Sequence, residues 1–307
     1  MEPALLGELR EWGYEGRIVS CSHVSDLQEG IEGRHVRGLL DEGLYQAYLG
    51  GFTFHPPQGL AGARSLIVVA VPQPQAQVTF TWAGKAVQFI VPPTYLRERQ
   101  VDAQVRDLLS QSLQASGYRV AEAVVPKKLL AVRSGLATYG KNNISYVPGM
   151  GSFHRLVAFY SDLPCQEDNW REPQMMASCE NCSACLRRCP TGAITSERFL
   201  LQAERCLTFH TEKDSSVPFP AWLDPRWHRW LVGCLHCQLV CPENKQVVHW
   251  VEQGPQFSET ETALLLQGAR LGQLPAETEA KLRQSEIAAF FEVVPRNLRL
   301  LLEQAAH

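Results

Sequence analysis

The sequence predicts an α/β (α+β) chain in three parts: a mixed-sheet unit over residues 1–165, a cysteine-rich module over 166–255 and a helical C-terminal tail over 256–307. Three observations lead there. Apolar β-branched runs alternate with helix-period segments through the first half. Eight of the ten cysteines fall between Cys179 and Cys241. Beyond them, apolar residues recur at helical spacing. A chain of 307 residues, 45% hydrophobic and 20% charged, has the composition of a folded protein and can bury its core without disulfides. Its formal charge of −3 gives no general attraction for nucleic acid, although a local basic patch stays open. No apolar run approaches the roughly 20 residues of a membrane span. Met1 to Gly16 is glutamate-rich and has no signal-like apolar stretch. The expected setting is cytoplasmic, with no membrane partner.

In order along the chain, Pro3–Glu11 reads as a short amphipathic helix and Arg17–Ser20 as a strand. Val36–Tyr48 carries Leu39, Leu40, Leu44 and Tyr45 at helical spacing, which predicts a helix. Ser65–Pro72 (SLIVVAVP) is an unbroken apolar run ending at proline, the pattern of a central strand buried on both faces. Val78–Trp82 and Ala86–Val91 flank Ala83-Gly84-Lys85 and predict a hairpin. Asp102–Leu113 reads as a helix, Tyr118–Val125 as a strand and Pro126–Ser134 as a helix with proline in its first turn. Ile144–Val147 and Arg155–Tyr160 are expected strands around Pro148-Gly149-Met150-Gly151. Ser258–Leu271 and Glu277–Leu302 supply the helical tail.

The cysteine spacing carries the chemistry. Cys179, Cys182, Cys185 and Cys189, followed by Pro190, form the C-x2-C-x2-C-x3-C-P run of ferredoxins that hold two [4Fe–4S] clusters. Two-residue spacers let the backbone wrap one corner of a cubane and aim amide N–H groups at its sulfurs. The fourth cysteine, a short helical turn on, points elsewhere, and the proline stops the helix. Cys234, Cys237, Cys241 and Pro242 repeat the spacing without its first cysteine, and Cys206 is the cysteine left in the window to complete it. Crossed ligation then gives Cys179, Cys182, Cys185 and Cys241 to one cluster and Cys189, Cys206, Cys234 and Cys237 to the other. Four-cysteine zinc sites also use C-x2-C pairs, but three successive cysteines at x2 spacing followed by x3-C-P is not their pattern. Cys21 and Cys165 have no partner at ligand spacing. The expected module is ferredoxin-like and passes single electrons.

Other motifs are weaker. Gly135 to Asn142 approaches a phosphate-binding loop, but Asn142 stands where a Mg²⁺-holding hydroxyl is needed, and a helix rather than a strand precedes it. What remains is a flexible turn presenting Lys141, Asn142 and Asn143 to an amide- or phosphate-bearing ligand, or a helix cap with a solvated lysine. Gly149 to His154 fails the dinucleotide fingerprint because His154 replaces its last glycine. His154 reads either as a proton donor or as a core histidine. Pro92 to Arg99 is a proline-stiffened loop bearing Tyr95, which reads as a pocket wall or as plain surface. Trp222, Trp227, Trp230 and Trp250 flank the second cysteine motif and suit the exclusion of water.

With these motifs in place, the chain resembles the epoxyqueuosine reductase family. The resemblance rests on CENCSACLRRCPTGAI from Cys179, RCLTFH around Cys206 and GCLHCQLVCPEN from Gly233. It implies a double-[4Fe–4S] domain set against an α/β domain that binds cobalamin, and reduction of the epoxide of a tRNA-bound queuosine precursor. SGLATYGKN at 134–142 resembles the family's glycine-and-lysine loop beside the corrinoid, and LVAFYSDLP at 156–164 its following strand. Gly140, Lys141, Asn142 and Asn143, with Gly151 and Ser152 of the next turn, become the expected cofactor-contacting residues. The chain departs from the family in three places. The family's catalytic aspartate has no counterpart in Ala121-Glu122-Ala123-Val124-Val125, where Glu122 is the nearby acid. The family's arginine- and histidine-bearing loop is replaced by VPPTYLRER, and many members continue past the position of His307 into helical repeats that hold tRNA.

The expected activity is that of an iron–sulfur, cobalamin-dependent reductase. It would take electrons from an external donor such as a ferredoxin or flavodoxin and act on a small molecule or modified nucleoside, with tRNA as a further partner. Glu122, Tyr95, Tyr139 and His154 are the candidate proton sources. The alternatives are an electron-transfer or corrinoid-reactivating partner without its own substrate, and a purely structural role for the clusters.

Overall fold

The computed structural model describes residues 2–197 and 199–306. The chain opens with α1 (Glu2–Glu11), β1 (Glu15–Ser20) and α2 (Val24–Val36). The helix expected at 36–48 is displaced. Val36 ends α2, Gly38 at φ 66° turns the chain, and only α3 (Glu42–Leu44) and a π-helical turn at Tyr45–Leu49 follow. Leu39, Leu40, Leu44 and Tyr45 stay partly or fully exposed, so their spacing marks no core stripe. α2 escapes the sequence pattern because Gly30 and Gly33 interrupt it and it buries only Val24 and Leu27.

The first half continues with β2 (Ser65–Pro72), β3 (Gln75–Trp82), β4 (Lys85–Val91), α4 (Glu98–Gln114), β5 (Val120–Glu122) and α5 (Lys127–Arg133). β6 (Thr138–Tyr139), β7 (Ser145–Tyr146) and β8 (His154–Ser161) complete it. Strands in the order β1-β2-β8-β5 form a four-stranded sheet that is antiparallel throughout. β2 is buried on both faces, as its apolar run requires. Leu66, Val68 and Ala70 enter the core under α2 and α5, while Ile67, Val69 and Val71 enter the core under α1 and α4. α4 sends Val101, Val105, Leu109 and Leu113 into that second core, each contributing about 1.5–3 kcal/mol by burial. The hairpin forms through Ala83 and Gly84, both at positive φ (49° and 73°), and Lys85 pairs with Trp82 instead of joining the turn.

The cysteine-bearing segment is mostly loop, with α6 (Ala184–Arg188), α7 (Leu207–Thr211) and α8 (His236–Leu239) as short helices. β9 (Val251–Phe257) follows and pairs parallel with β3, so the mixed sheet is the three-stranded β4-β3-β9 rather than the larger one. Gly254 and Pro255 disguise this strand in the sequence, and they fall where the register with β3 shifts. α9 (Glu259–Leu266), α10 (Ala276–Gln284) and α11 (Val294–Ala305) close the chain. The long helix expected at 277–302 is broken at Glu286, whose backbone sits at φ 60° and whose carboxylate accepts the Arg99 and Gln100 N–H groups at the start of α4. The tail shares one core with the hairpin, including Phe80, Phe257, Leu265, Leu298 and Leu301. Among the described residues no helix is long and apolar enough to cross a membrane.

Candidate metal centre and adjoining cavity

All ten cysteines are free thiols, and eight of them gather around two cavities in sets of four. Cys179, Cys182, Cys185 and Cys241 surround the smaller cavity, together with Gly140, Lys141, Asn142 and Tyr146. Cys189, Cys206, Cys234 and Cys237 form one wall of a cavity of about 450 Å³. These are the groupings that crossed ligation assigns. α6 makes the crossing: Cys185 lies within it, and Cys189 follows in an extended conformation before Pro190. Among the described residues, no three His, Cys, Asp or Glu side chains converge on a single-ion position.

The donor set suits a polynuclear iron centre. The Lys141 N–H donates to Cys179 Sγ at 3.4 Å, and the Lys141 ammonium donates to the Cys182 carbonyl at 2.8 Å. Burial pushes the Cys234 thiol up to about 12, and the neighbouring thiols of Cys206 and Cys189 add to the rise. Burial likewise holds Cys237 well above the usual thiol range. Four thiolates gathered on one cavity coexist only around compensating positive charge, which a cluster's iron provides.

The larger cavity lies between the two halves of the chain. Its N-terminal wall comes from the loop after β4 (Pro92, Pro93, Tyr95), the start of α5 (Lys127, Lys128), Asn142 to Ser145, and the start of β8. Its lining carries Lys127, Lys128 and Arg155, and among the described residues no carboxylate. Arg155 is neutralised from behind by α4: its guanidinium donates to Asp102 at 2.6 and 2.8 Å and to Glu98 at 2.8 Å. The two lysines therefore set a positive potential suited to an anionic or amide-rich ligand. Pro92, Leu156, Ile194 and Leu207 make the remainder apolar.

The sequence-predicted residues divide. Tyr95, His154, Asn142, Asn143 and Ser152 line this cavity. The Tyr95 hydroxyl donates to the Glu212 carboxylate. Gly233, at φ 69°, makes room for it, since a Cβ there would come within 2.6 Å of the hydroxyl. Burial, then Glu212, raises the Tyr95 hydroxyl well above its usual value. Burial also raises Glu212, against the lowering effect of the Tyr95 bond.

His154 is 5% exposed, and burial lowers it to about 4, so it is neutral near pH 7. Its Nδ1 lies 3.1 Å from the Gly151 carbonyl, which places the proton there, and its Nε2 faces the Ser145 hydroxyl at 3.2 Å. With both nitrogens engaged, His154 is a wall residue that holds the 145–151 turn.

Gly140 and Lys141 lie on the smaller cavity instead. Gly151 is in neither lining and packs on Asn244. Ser152 is bolted to the cysteine segment: its N–H donates to Asn244 Oδ1 at 2.8 Å and its hydroxyl to Gln238 Oε1 at 2.8 Å. Tyr139 is buried in the core beside α5, edge-on to Phe199 at 5.0 Å, and burial raises it to about 12. Glu122 lies on the far side of the sheet, exposed, in a separate cavity of about 500 Å³ with Glu98, Asp102 and Arg106. Strand alternation explains this. Ala121 and Ala123 face the α5 core, so Glu122 between them faces α4. Glu212, Asn244, Lys127, Lys128 and Arg155 were not singled out by motif reasoning. Asn244 alone had a signal, standing two residues after the C-P of the second copy.

Fold and site together define a double-cluster iron–sulfur oxidoreductase. A family model described as a 4Fe-4S double cluster binding domain matches residues 178–244. An epoxyqueuosine reductase of Xanthomonas campestris pv. campestris is 30% identical over 256 residues, covering 77% of this chain and 69% of that protein. One from Alicycliphilus denitrificans is 29% identical over 301 residues, covering 92% of this chain and 80% of its own length. An epoxyqueuosine reductase solved with a tRNA-Tyr epoxyqueuosine-modified stem loop shares the fold at a TM-score of 0.66, with 20% identity over 98% of this chain and 80% of that one. The chain belongs to the epoxyqueuosine reductase family.

Proposed function

We propose that this protein is a cobalamin-dependent iron–sulfur reductase that opens the epoxide of a modified nucleoside. The observation that carries the reading is the cavity of about 450 Å³ whose lining holds four cysteines together with two lysines. When bound, the clusters supply single electrons and a corrinoid supplies a strongly reducing metal centre. Cys179, Cys182, Cys185 and Cys241 hold one cluster, and Cys189, Cys206, Cys234 and Cys237 the other. Asn143, Ser145 and Lys127 offer hydrogen bonds to a corrinoid's amide fringe, and Lys128 offers charge to a phosphate. Pro92, Leu156 and Ile194 exclude water from the reacting face.

Reductive opening of an epoxide to an alkene takes two electrons and two protons and releases water, so the cavity needs a proton source. In this reading the protons pass through Tyr95, a lining residue: protonated Glu212, its carboxyl raised by burial, hands a proton to the Tyr95 oxygen as the Tyr95 hydrogen goes to the substrate oxygen, and solvent reprotonates Glu212 for the second. The residues of the smaller set are the point of entry for electrons from an external carrier such as a ferredoxin or flavodoxin. A tRNA-borne nucleoside is the favoured substrate, given the relative solved with a modified stem loop.

The test is anaerobic purification with iron, sulfide and cobalt analysis, a visible spectrum with added cobalamin, and turnover of epoxyqueuosine in tRNA under chemical reduction. About eight iron atoms per chain, a cobalamin spectral change and formation of the alkene are expected. Four or fewer iron atoms, or an unchanged cobalamin spectrum, refute it. A second reading, an electron-transfer or corrinoid-reactivating partner, is favoured by the absence of a carboxylate from the described cavity lining. It predicts cobalamin reduction with no epoxide turnover.

A further inference from the structure

The loop between β6 and β7 touches both cysteine sets. Asn142 lines both cavities, and Tyr146 lines the smaller one. Each of the two residues is only 3% exposed. The Asn142 side-chain oxygen accepts the Ile144 N–H at 3.3 Å, which fixes which way its amide points. Its Nδ2 then donates one hydrogen to the Tyr146 hydroxyl at 2.9 Å. Beyond that bond, Asn142 shares the lining of the larger cavity with Cys237, and Tyr146 shares that of the smaller one with Cys241. The donors run in one consistent order. Asn142 keeps a second amide hydrogen that it can turn to the set containing Cys237, and Tyr146, having accepted from Asn142, keeps its own for the set containing Cys241. Cys237 and Cys241 belong to different sets.

Gly140 is fitted to this pair. A Cβ at that position would come within 2.5 Å of Asn142 Oδ1 and 2.6 Å of Tyr146 Cε2. The glycine and asparagine that resemble an incomplete phosphate loop in the sequence thus serve the contact between the cysteine sets.

We propose that Asn142 and Tyr146 form a hydrogen-bonded bridge between the two cluster sites, each raising the reduction potential of the cluster on its own side. This rests on the reading that the eight cysteines hold two clusters. A reduced cluster carries one more negative charge than an oxidised one, so a donor aimed at a ligating sulfur favours the reduced state. The effect is large where water is excluded. Both are positioning residues in this role: they act through Cys237 and Cys241.

The experiment compares anaerobically purified holoenzyme with Tyr146→Phe and Asn142→Ala, using iron and sulfide content and an EPR-monitored redox titration without added corrinoid. Both variants are expected to keep the full iron content. Tyr146→Phe is expected to lower the midpoint of one cluster, and Asn142→Ala chiefly that of the other. Each shift corresponds to at least a threefold fall in the ratio of reduced to oxidised cluster at fixed potential. Unmoved midpoints in both variants overturn the bridge, as does an equal fall of both midpoints in either one. Iron loss from both variants also overturns it, making the pair scaffold only. A wild-type protein that holds fewer than two clusters refutes the underlying cluster reading and the bridge with it, and the iron content separates that failure from the others.

Discussion

Asn244 is the bolt between the N-terminal unit and the cysteine segment, and its removal has a calculable cost. Its side chain is 0% exposed, accepts the Ser152 N–H at 2.8 Å, and donates to the Ser152 hydroxyl at 2.8 Å and the Gln238 carbonyl at 2.9 Å. In Asn244→Ala the Gln238 carbonyl keeps the Cys241 N–H at 3.2 Å, and the Ser152 hydroxyl keeps Gln238 Oε1 at 2.8 Å. The Ser152 N–H alone is left buried without a partner, at about 1–3 kcal/mol, and two further bonds are lost at about 0.5–1.5 kcal/mol each. Water entering the vacated space offsets part of this, leaving about 3 kcal/mol. If the docking is absent from the unfolding transition state, unfolding accelerates about 10²-fold. The assay is the rate at which holoenzyme loses visible cluster absorbance and shifts its tryptophan fluorescence in urea. Ser152→Ala removes only the hydroxyl and should accelerate loss about fivefold, at about 1 kcal/mol. In the Asn244→Ala background it should add less than it does alone. An acceleration below threefold for Asn244→Ala, or strict additivity in the double variant, would refute the docking role.

Three further outcomes are expected. His154 sits near 4 in the fold against 6.5 when free, so the unfolded chain binds the extra proton. Its stabilising contribution is complete above about pH 6.5 and is lost as pH falls towards about 4, to a total of about 3 kcal/mol. His154→Gln should flatten that part of the pH dependence of unfolding, and an unchanged slope would assign it elsewhere. Tyr95→Phe should cut epoxide turnover about 10²-fold while leaving iron content and the cobalamin spectrum intact; retained turnover would remove Tyr95 as the proton source. Leu298→Ala, in the core shared by tail and hairpin, should destabilise by about 2–5 kcal/mol in urea denaturation; a change under 1 kcal/mol would mean that α11 packs loosely.

What the sequence discloses follows the range of the interactions involved. The cysteine sets were readable because a cubane constrains residues within a few positions of each other, and spacing records that constraint directly. β2 and the β3–β4 hairpin were readable for the same reason, through an apolar run and an Ala-Gly turn. The antiparallel order of the main sheet was not, since a strand buried on both faces reads alike in either orientation. α2 was hidden by its glycines, and β9 by Gly254 and Pro255 at a register shift. Glu122 illustrates the limit at the site. It was the acid nearest the place where the resemblance puts the family's catalytic aspartate, and the alternation of side chains along β5 turned it to the other face. Glu212, by contrast, meets Tyr95 across 117 positions, a pairing that no local pattern records.

The parallel pairing of β9 with β3 bears on how the protein is made. Gln77 and Gln253 face each other across 176 positions, so the cysteine segment lies in a long excursion whose ends are stitched into one small sheet. During synthesis the exposed edge of β3 waits for a partner that leaves the ribosome much later. Each contact that compacts the excursion shortens the gap β9 must close, so metal loading and sheet closure assist one another. Iron starvation prolongs the wait, and its expected symptom is edge-to-edge aggregation of nascent chains rather than accumulation of intact apoprotein.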